Sequence, residues 1–187
     1  DGGAVVTRDP HYAQQLKILR EHGSAKKNFQ DRLGFNSRLD SLQAAILSVK
    51  LPHLDRWNQQ RRDLATHYNT LLGVVSTEFP VRRPPLNAGV DSESVFHHYI
   101  LRFQGHLAGQ RDQIQAALKV AGVECLPYYP HPLHLQTLYQ ADYQRGDFPE
   151  AEDCAQNSLA LPMFPELTQK EQVQVVQTLT QVLREQF

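Results

Sequence analysis

Long apolar runs are missing from this 187-residue chain. No stretch approaches the roughly 20 residues that a membrane-spanning helix needs, so no membrane association is expected. Cysteine is scarce, with Cys125 and Cys154 the only two. Two thiols without Cys-x-x-Cys spacing make neither a disulfide framework nor a zinc site, and a reducing, cytoplasmic setting is the expectation. An excess of one charge is also missing: 19 Lys and Arg stand against 20 Asp and Glu. That balance leaves no basic footprint for nucleic acid and no acidic tail. There is no H-E-x-x-H, no glycine-rich phosphate loop and no nucleophile elbow. Repeats and low-complexity tracts are absent as well. A starting methionine and a secretory leader are lacking, since Asp1-Gly2-Gly3 leads straight into Ala4-Val5-Val6-Thr7. The first residue therefore reads as a cut point inside a longer protein.

What is present is enough for a folded core. A chain of this length buries roughly 70% of its unfolded surface and needs no disulfide or metal to stay folded. The best-specified stretch runs from Leu33 to Leu47. Gly34 supplies a bend, and Ser37 and Asp40 have the spacing of a capping box, with Ser37 as the predicted N-cap. Leu39, Leu42, Ile46 and Val49 then repeat at helical spacing, so Asn36 and Arg38 should sit at the mouth of a helix. Pro52 interrupts the pattern, which resumes through Leu54, Trp57, Leu64, Tyr68 and Leu71 with Arg61 filling one slot. A long helix with a break near Pro52, ending at Gly73, is predicted.

Around that segment, residues 2–7 read as a short buried strand. Asp9-Pro10 starts a helix that runs to about Glu21, with Gly23 past its end. Residues 24–35 read as a basic loop and residues 74–91 as a linker rich in proline. Strands are predicted over 94–103, 123–126 and 159–163. Helices are predicted over 107–121, stopped by Gly122, from Asp147 to about Ser158, and from a Thr168–Glu171 capping box onward. The face of the last helix is Val175, Val176, Leu179, Val182 and Leu183. His97 and His98 fall on the predicted 94–103 strand, where adjacent side chains point to opposite faces, so a shared metal is not expected there. The sum is an α/β remnant, a long helix, and a compact α+β domain.

Several of these stretches together resemble one family. Gly34-Phe35-Asn36-Ser37-Arg38-Leu39-Asp40-Ser41-Leu42-Gln43-Ala44-Ala45 looks like the G-x-N-x-R-L-D-x-L-Q-A-A segment of the DegT/DnrJ/EryC1/StrS sugar aminotransferases, which depend on pyridoxal 5'-phosphate. Asp1-Gly2-Gly3-Ala4, Arg20-Glu21-His22-Gly23, Leu51-Pro52-His53-Leu54 and Trp57-Asn58 match further family segments. So do Tyr129-Pro130-x-Pro132-Leu133-His134, Gly146-Asp147-Phe148-Pro149-x-Ala151-Glu152 and Leu159-x-Leu161-Pro162-Met163. The matches keep the family's order over nearly the whole chain. Where the family carries His before the Y-P pair, this chain has Tyr128.

The resemblance implies the C-terminal part of a type I aminotransferase fold: the edge of a large α/β domain and a small α+β C-terminal domain. On this view residues 1–38 are a remnant of the cofactor-binding domain, 39–73 a connecting helix, and 74–187 the small domain. It implies a homodimer with a site shared between subunits. There Asn36 would reach the cofactor phosphate, and Arg38, Tyr129 and His134 would serve a nucleotide-linked keto sugar. The amino donor would be glutamate. An amide donor and a guanidinium fork suit phosphate and hydroxyl partners. The lysine that holds the cofactor as a Schiff base precedes the Gly-Asp-Gly-Gly strand in the family. None of Lys17, Lys26 and Lys27 has that setting, so no catalytic residue is expected within the chain and the chain alone is expected to be inactive. The alternative is a non-catalytic or regulatory family member acting as a binding module.

Overall fold

The structure is a computed structural model that describes residues 3–86 and 93–187. It divides into two compact units, residues 1–54 and residues 55–187.

In the first unit, α1 (Pro10–Arg20) begins as its sequence dictates. The Asp9 carboxylate accepts from the His11 N–H at 2.7 Å, and Pro10 occupies the first turn, where its missing N–H costs nothing. The helix ends where Gly23 takes φ +74° and donates to the Ile18 carbonyl at 2.9 Å. The basic stretch that follows is a small antiparallel hairpin, β1 (Ser24–Lys26) with β2 (Phe29–Gln30), rather than a loop. Asn28 in the turn takes φ +68°, a conformation asparagine tolerates.

The strand expected over residues 2–7 is not formed in its described part, residues 3–7. Val6 is 94% exposed. An apolar run becomes a strand only when a neighbour supplies the ladder, and no described segment pairs with it.

α2 (Ser41–Lys50) follows, and its N-cap is Asp40, not Ser37. The Asp40 carboxylate accepts from the Leu42 N–H at 2.9 Å. Ser37 is used elsewhere, since its N–H donates to the Arg20 carbonyl at 3.0 Å. α2 buries none of its residues, and Leu42, Ile46 and Val49 are exposed. A 3-10 turn at Leu51–His53, carrying Pro52, interrupts the α-helical hydrogen bonding as expected.

In the second unit, α3 (Leu54–Glu78) runs past Gly73, the expected end. Its buried face, Leu64, Ala65, Tyr68, Leu72 and Val75, continues beyond the glycine, and that burial outweighs the roughly 1 kcal/mol a helical glycine costs. A three-stranded antiparallel sheet follows in the order β3 (Val81–Arg82), β4 (Tyr99–Phe103), β5 (Ser158–Leu161). β4 alternates cleanly, with Tyr99, Leu101 and Phe103 fully buried.

The expected 94–103 strand is thus shortened to its second half. β4 and β5 pair from Tyr99↔Leu161, and Pro162 lacks the N–H to extend the ladder. Upstream, the Phe96 and His97 carbonyls accept from Arg61 Nη1 at 3.5 and 3.2 Å instead of from a strand. The 123–126 strand is reduced to a single bridge, Leu126↔Ala160. The linker expectation over 74–91 is overtaken by α3 and β3 as far as Arg82, and its last part, 87–91, lies outside the described residues.

α4 (Arg111–Val120) begins later than expected, because Leu107 closes a separate 3-10 turn, and it stops at Gly122 with φ +84°. α5 (Pro149–Asn157) leads into β5. α6 (Gln169–Gln186) carries the full Thr168–Glu171 capping box and buries all five expected apolar residues. Each such side chain contributes about 2 kcal/mol on burial. Gln172 is also fully buried: it donates to the Leu64 carbonyl at 2.9 Å, and its Oε1 lies 2.7 Å from His67 Nδ1.

Candidate functional site

Two motifs distant in the sequence make one device in the first unit. The Arg20–Gly23 turn and the Gly34–Arg38 segment lie side by side. His22 N–H donates to the Phe35 carbonyl at 2.9 Å, Phe35 N–H to Leu19 at 2.7 Å, and Ser37 N–H to Arg20 at 3.0 Å. Glu21 and Asn36 form an antiparallel bridge. The approach requires glycine on both sides. A Cβ on Gly34 would lie 2.0 Å from the Gly23 nitrogen, and one on Gly23 would lie 1.8 Å from the Arg32 carbonyl oxygen. This clamp and the Asp40 cap fix Asn36 and Arg38 immediately before α2.

The two side chains act as a pair. Arg38 Nε donates to Asn36 Oδ1 at 3.1 Å, and both residues are exposed. With Oδ1 accepting from Arg38, the Asn36 amide presents its N–H groups as donors beside a permanent cation. That donor set suits a phosphate, so these residues fit the phosphate of a cofactor such as pyridoxal phosphate.

The second candidate group lies in the other unit, on the loop from Pro127 to Leu135. Tyr128 stacks on His98 with ring centroids 3.8 Å apart, and Tyr129 meets Tyr128 edge-on at 5.5 Å across a cis peptide bond. Tyr129 is 70% exposed, whereas His134 is 7% exposed. His134 Nε2 lies 3.1 Å from Glu152 Oε1, and its ring packs edge-on against Phe148. Glu152 also accepts from the Gly146 N–H at 2.6 Å. The Gly146 N–H, followed by His134, holds the Glu152 carboxyl below the usual carboxylate range.

Beside this loop lies a cleft of about 540 Å³ lined in part by Arg61, His97, His98, Tyr128 and Met163. Burial, followed by the neighbouring His97 and Arg61, pushes the His98 imidazole down from its ordinary value. His97 and His98 are not on a strand, and their rings meet edge-on at 4.3 Å, which corrects the expectation of opposite faces. Among the described residues no group of three or more His, Cys, Asp or Glu is placed to hold a metal ion. Nor is any helix there long and apolar enough to cross a membrane.

Sequence reasoning named Asn36, Arg38, Tyr129 and His134. The structure pairs the first two directly and puts the last two on one loop, one exposed and one turned inward. Sequence reasoning missed Glu152 as a site residue and weighed His98 only as half of a histidine pair on a strand. Glu152 stood in a quoted motif, but its partner is 18 residues away and no periodicity links them.

Comparison with known proteins gives these features a setting. The chain is 43% identical over 185 residues to a "pleiotropic regulatory protein" of Geobacillus stearothermophilus, covering 98% of this chain and 48% of that protein. It is 38% identical over 178 residues to the dTDP-3-amino-3,4,6-trideoxy-alpha-D-glucose transaminase of Streptomyces venezuelae, covering 94% and 44%. Among solved structures, ntda from Bacillus subtilis with bound cofactor PMP superimposes with a TM-score of 0.82 at 28% identity, covering 96% of this chain and 41% of that one. The fold is that of part of a type I pyridoxal-phosphate aminotransferase. The chain spans about half the length of the curated relatives it matches. The sequence profile of the DegT/DnrJ/EryC1/StrS aminotransferase family matches residues 1–180, and the chain belongs to that family.

Proposed function

We propose that these residues form the C-terminal part of a pyridoxal-phosphate-dependent aminotransferase that moves an amino group from glutamate onto a nucleotide-linked keto sugar. Glutamate leaves as 2-oxoglutarate, and the amino group replaces the sugar's carbonyl oxygen. The pathways served are those that build amino sugars for surface polysaccharides or antibiotics. The observation that carries the reading is the Gly23–Gly34 clamp, which presents Asn36 and Arg38 as an exposed donor pair at the start of α2.

In this reading the cofactor supplies the electron sink, and the chain's own residues bind and orient. Asn36 donates to the cofactor phosphate across a homodimer interface. Arg38 and Tyr129 meet the sugar nucleotide, and His134 serves it from the far end of the Tyr129 loop. Residues 1–38 complete a larger cofactor-binding domain, 39–73 connect it, and 74–187 form the small domain of a cytoplasmic enzyme.

The lysine that holds the cofactor lies outside residues 1–187 in this reading. Lys17 is exposed on α1, and the Lys26 ammonium sits 5.2 Å over the Phe29 ring, a surface arrangement. The test is to express residues 1–187, add pyridoxal phosphate, reduce with borohydride and map labelled lysines. No stoichiometric label is expected. One internal lysine labelled stoichiometrically, together with amino transfer to a keto sugar nucleotide, would refute the assignment.

A second reading is a regulatory, non-catalytic member, favoured by the similarity to the pleiotropic regulatory protein of Geobacillus stearothermophilus. The whole protein distinguishes the two: amino transfer from glutamate supports the enzyme, and its lack supports the regulator.

A further inference from the structure

The His134–Glu152 pair joins two segments that meet only through folding. Glu152 lies in the first turn of α5, and α5 is tied to the sheet. Arg102 on β4 binds Glu150 at 3.0 Å and also binds Asp153, while Ala155 and Asn157 are buried. Glu152 is thus a fixed point. An ionised carboxylate only accepts, so the hydrogen it shares with His134 sits on Nε2, which sets the imidazole tautomer. The same Oε1 takes the Gly146 N–H, with Gly146 at φ +97°, and Arg145 lies 3.8 Å from Oε2.

From His134 the chain runs back to Tyr129 through Pro132 and Pro130, whose fixed φ angles remove two of its rotations, so anchoring His134 narrows the paths open to Tyr129. The other end of the loop is anchored by the Tyr128–His98 stack.

We propose that Glu152 is a positioning residue: by accepting from the His134 ring and the Gly146 backbone it pins the 128–135 loop, and with it the Tyr129 ring, in the conformation that receives the sugar nucleotide. The receiving role of Tyr129 rests on the function proposed above; the pinning of the loop does not. Glu152→Gln keeps an oxygen acceptor at Oε1 and retains the pin. Glu152→Ala removes it while keeping a good helix former in α5.

The experiment compares the whole protein with E152Q and E152A. Amide exchange is followed over 128–147, with the α6 peptide 169–186 as the reference for intact folding. The expected result is exchange about 10-fold faster over the loop in E152A, wild-type exchange in E152Q, and no change in α6. KM is then measured for dTDP-3-amino-3,4,6-trideoxyglucose with 2-oxoglutarate as acceptor. It should rise roughly 10-fold in E152A with kcat within about threefold, and return in E152Q.

Unchanged loop exchange in E152A overturns the proposal, as do equal effects of E152A and E152Q. Faster exchange with an unchanged KM also overturns it, because the pin would then not serve binding. Should E152A lose α6 protection, Glu152→Asp, one methylene too short to reach, replaces it with the same expected rise. If the wild type does not use this sugar, that result bears on the proposed reaction alone, and the exchange measurement decides for or against Glu152.

Discussion

Replacing Gly34 with alanine tests the clamp that places Asn36 and Arg38. The added Cβ would sit 2.0 Å from the Gly23 nitrogen, 2.6 Å from the His22 carbonyl carbon and 2.7 Å from the Gly23 Cα. All three are backbone atoms, so no side-chain rotation relieves the clash. The segments must part by more than 1 Å to reach an ordinary contact of about 3.4 Å. That displacement breaks the His22–Phe35, Phe35–Leu19 and Ser37–Arg20 hydrogen bonds, which lie between 2.7 and 3.0 Å.

Each such bond contributes about 1 kcal/mol net, and water replaces part of it at these exposed positions, giving a local loss of about 1–3 kcal/mol. In amide exchange that is a roughly 10- to 100-fold acceleration at His22, Phe35 and Ser37. The Glu21–Asn36 bridge belongs to the same device, so Gly34→Ala and Asn36→Ala should each weaken cofactor retention in the whole protein, by about 1–2 kcal/mol. Exchange rates equal to the wild type at those three amides would refute the geometric argument. Faster exchange with full cofactor affinity would refute the role given to the clamp.

Gln172→Ala should cost about 3 kcal/mol in chemical denaturation, from two lost hydrogen bonds and a cavity between α3 and α6. Gln172→Leu restores the volume and should still cost about 1–2 kcal/mol, so a neutral Leu variant would show that the polar pair adds nothing. Thr168→Ala should lower stability by about 1 kcal/mol through loss of the N-cap. The Thr168 hydroxyl, then its N–H, holds the Glu171 carboxyl below its ordinary 4.5. The contribution of that pair is therefore present above about pH 4.5 and is lost as pH falls through the depressed value, so the wild-type advantage over Thr168→Ala should shrink on acidification. Burial pushes the Cys125 thiol up to about 12, while Cys154 is exposed, so a thiol reagent at pH 8 should modify one cysteine in the native protein and two after denaturation.

Features governed by neighbours in the sequence were legible from the sequence alone. Asp9, Pro10 and Gly23 bound α1, Pro52 breaks the helix, and Thr168 with Glu171 starts α6, because each acts on backbone groups within a few residues. The apolar spacing of α6 likewise named its buried face, since a 3.6-residue period is a property of the helix itself. The place of Asn36 and Arg38 at a helix entrance was also legible, whereas the hydrogen bond between them was not.

Only the tertiary structure decided the rest. Local spacing put Ser37 at the cap, yet Asp40 took it while the Ser37 N–H bonded Arg20, 17 residues away. The 94–103 run became a strand only where β5 met it, and elsewhere its carbonyls went to Arg61. Residues 3–7 have strand composition, and no described strand pairs with them. His134 and Glu152, 18 residues apart, become one unit only after α5 docks on β4. In each case the outcome turned on which distant group satisfied a backbone or side-chain hydrogen bond. Local sequence lists the donors and acceptors, whereas the packed chain determines how they pair.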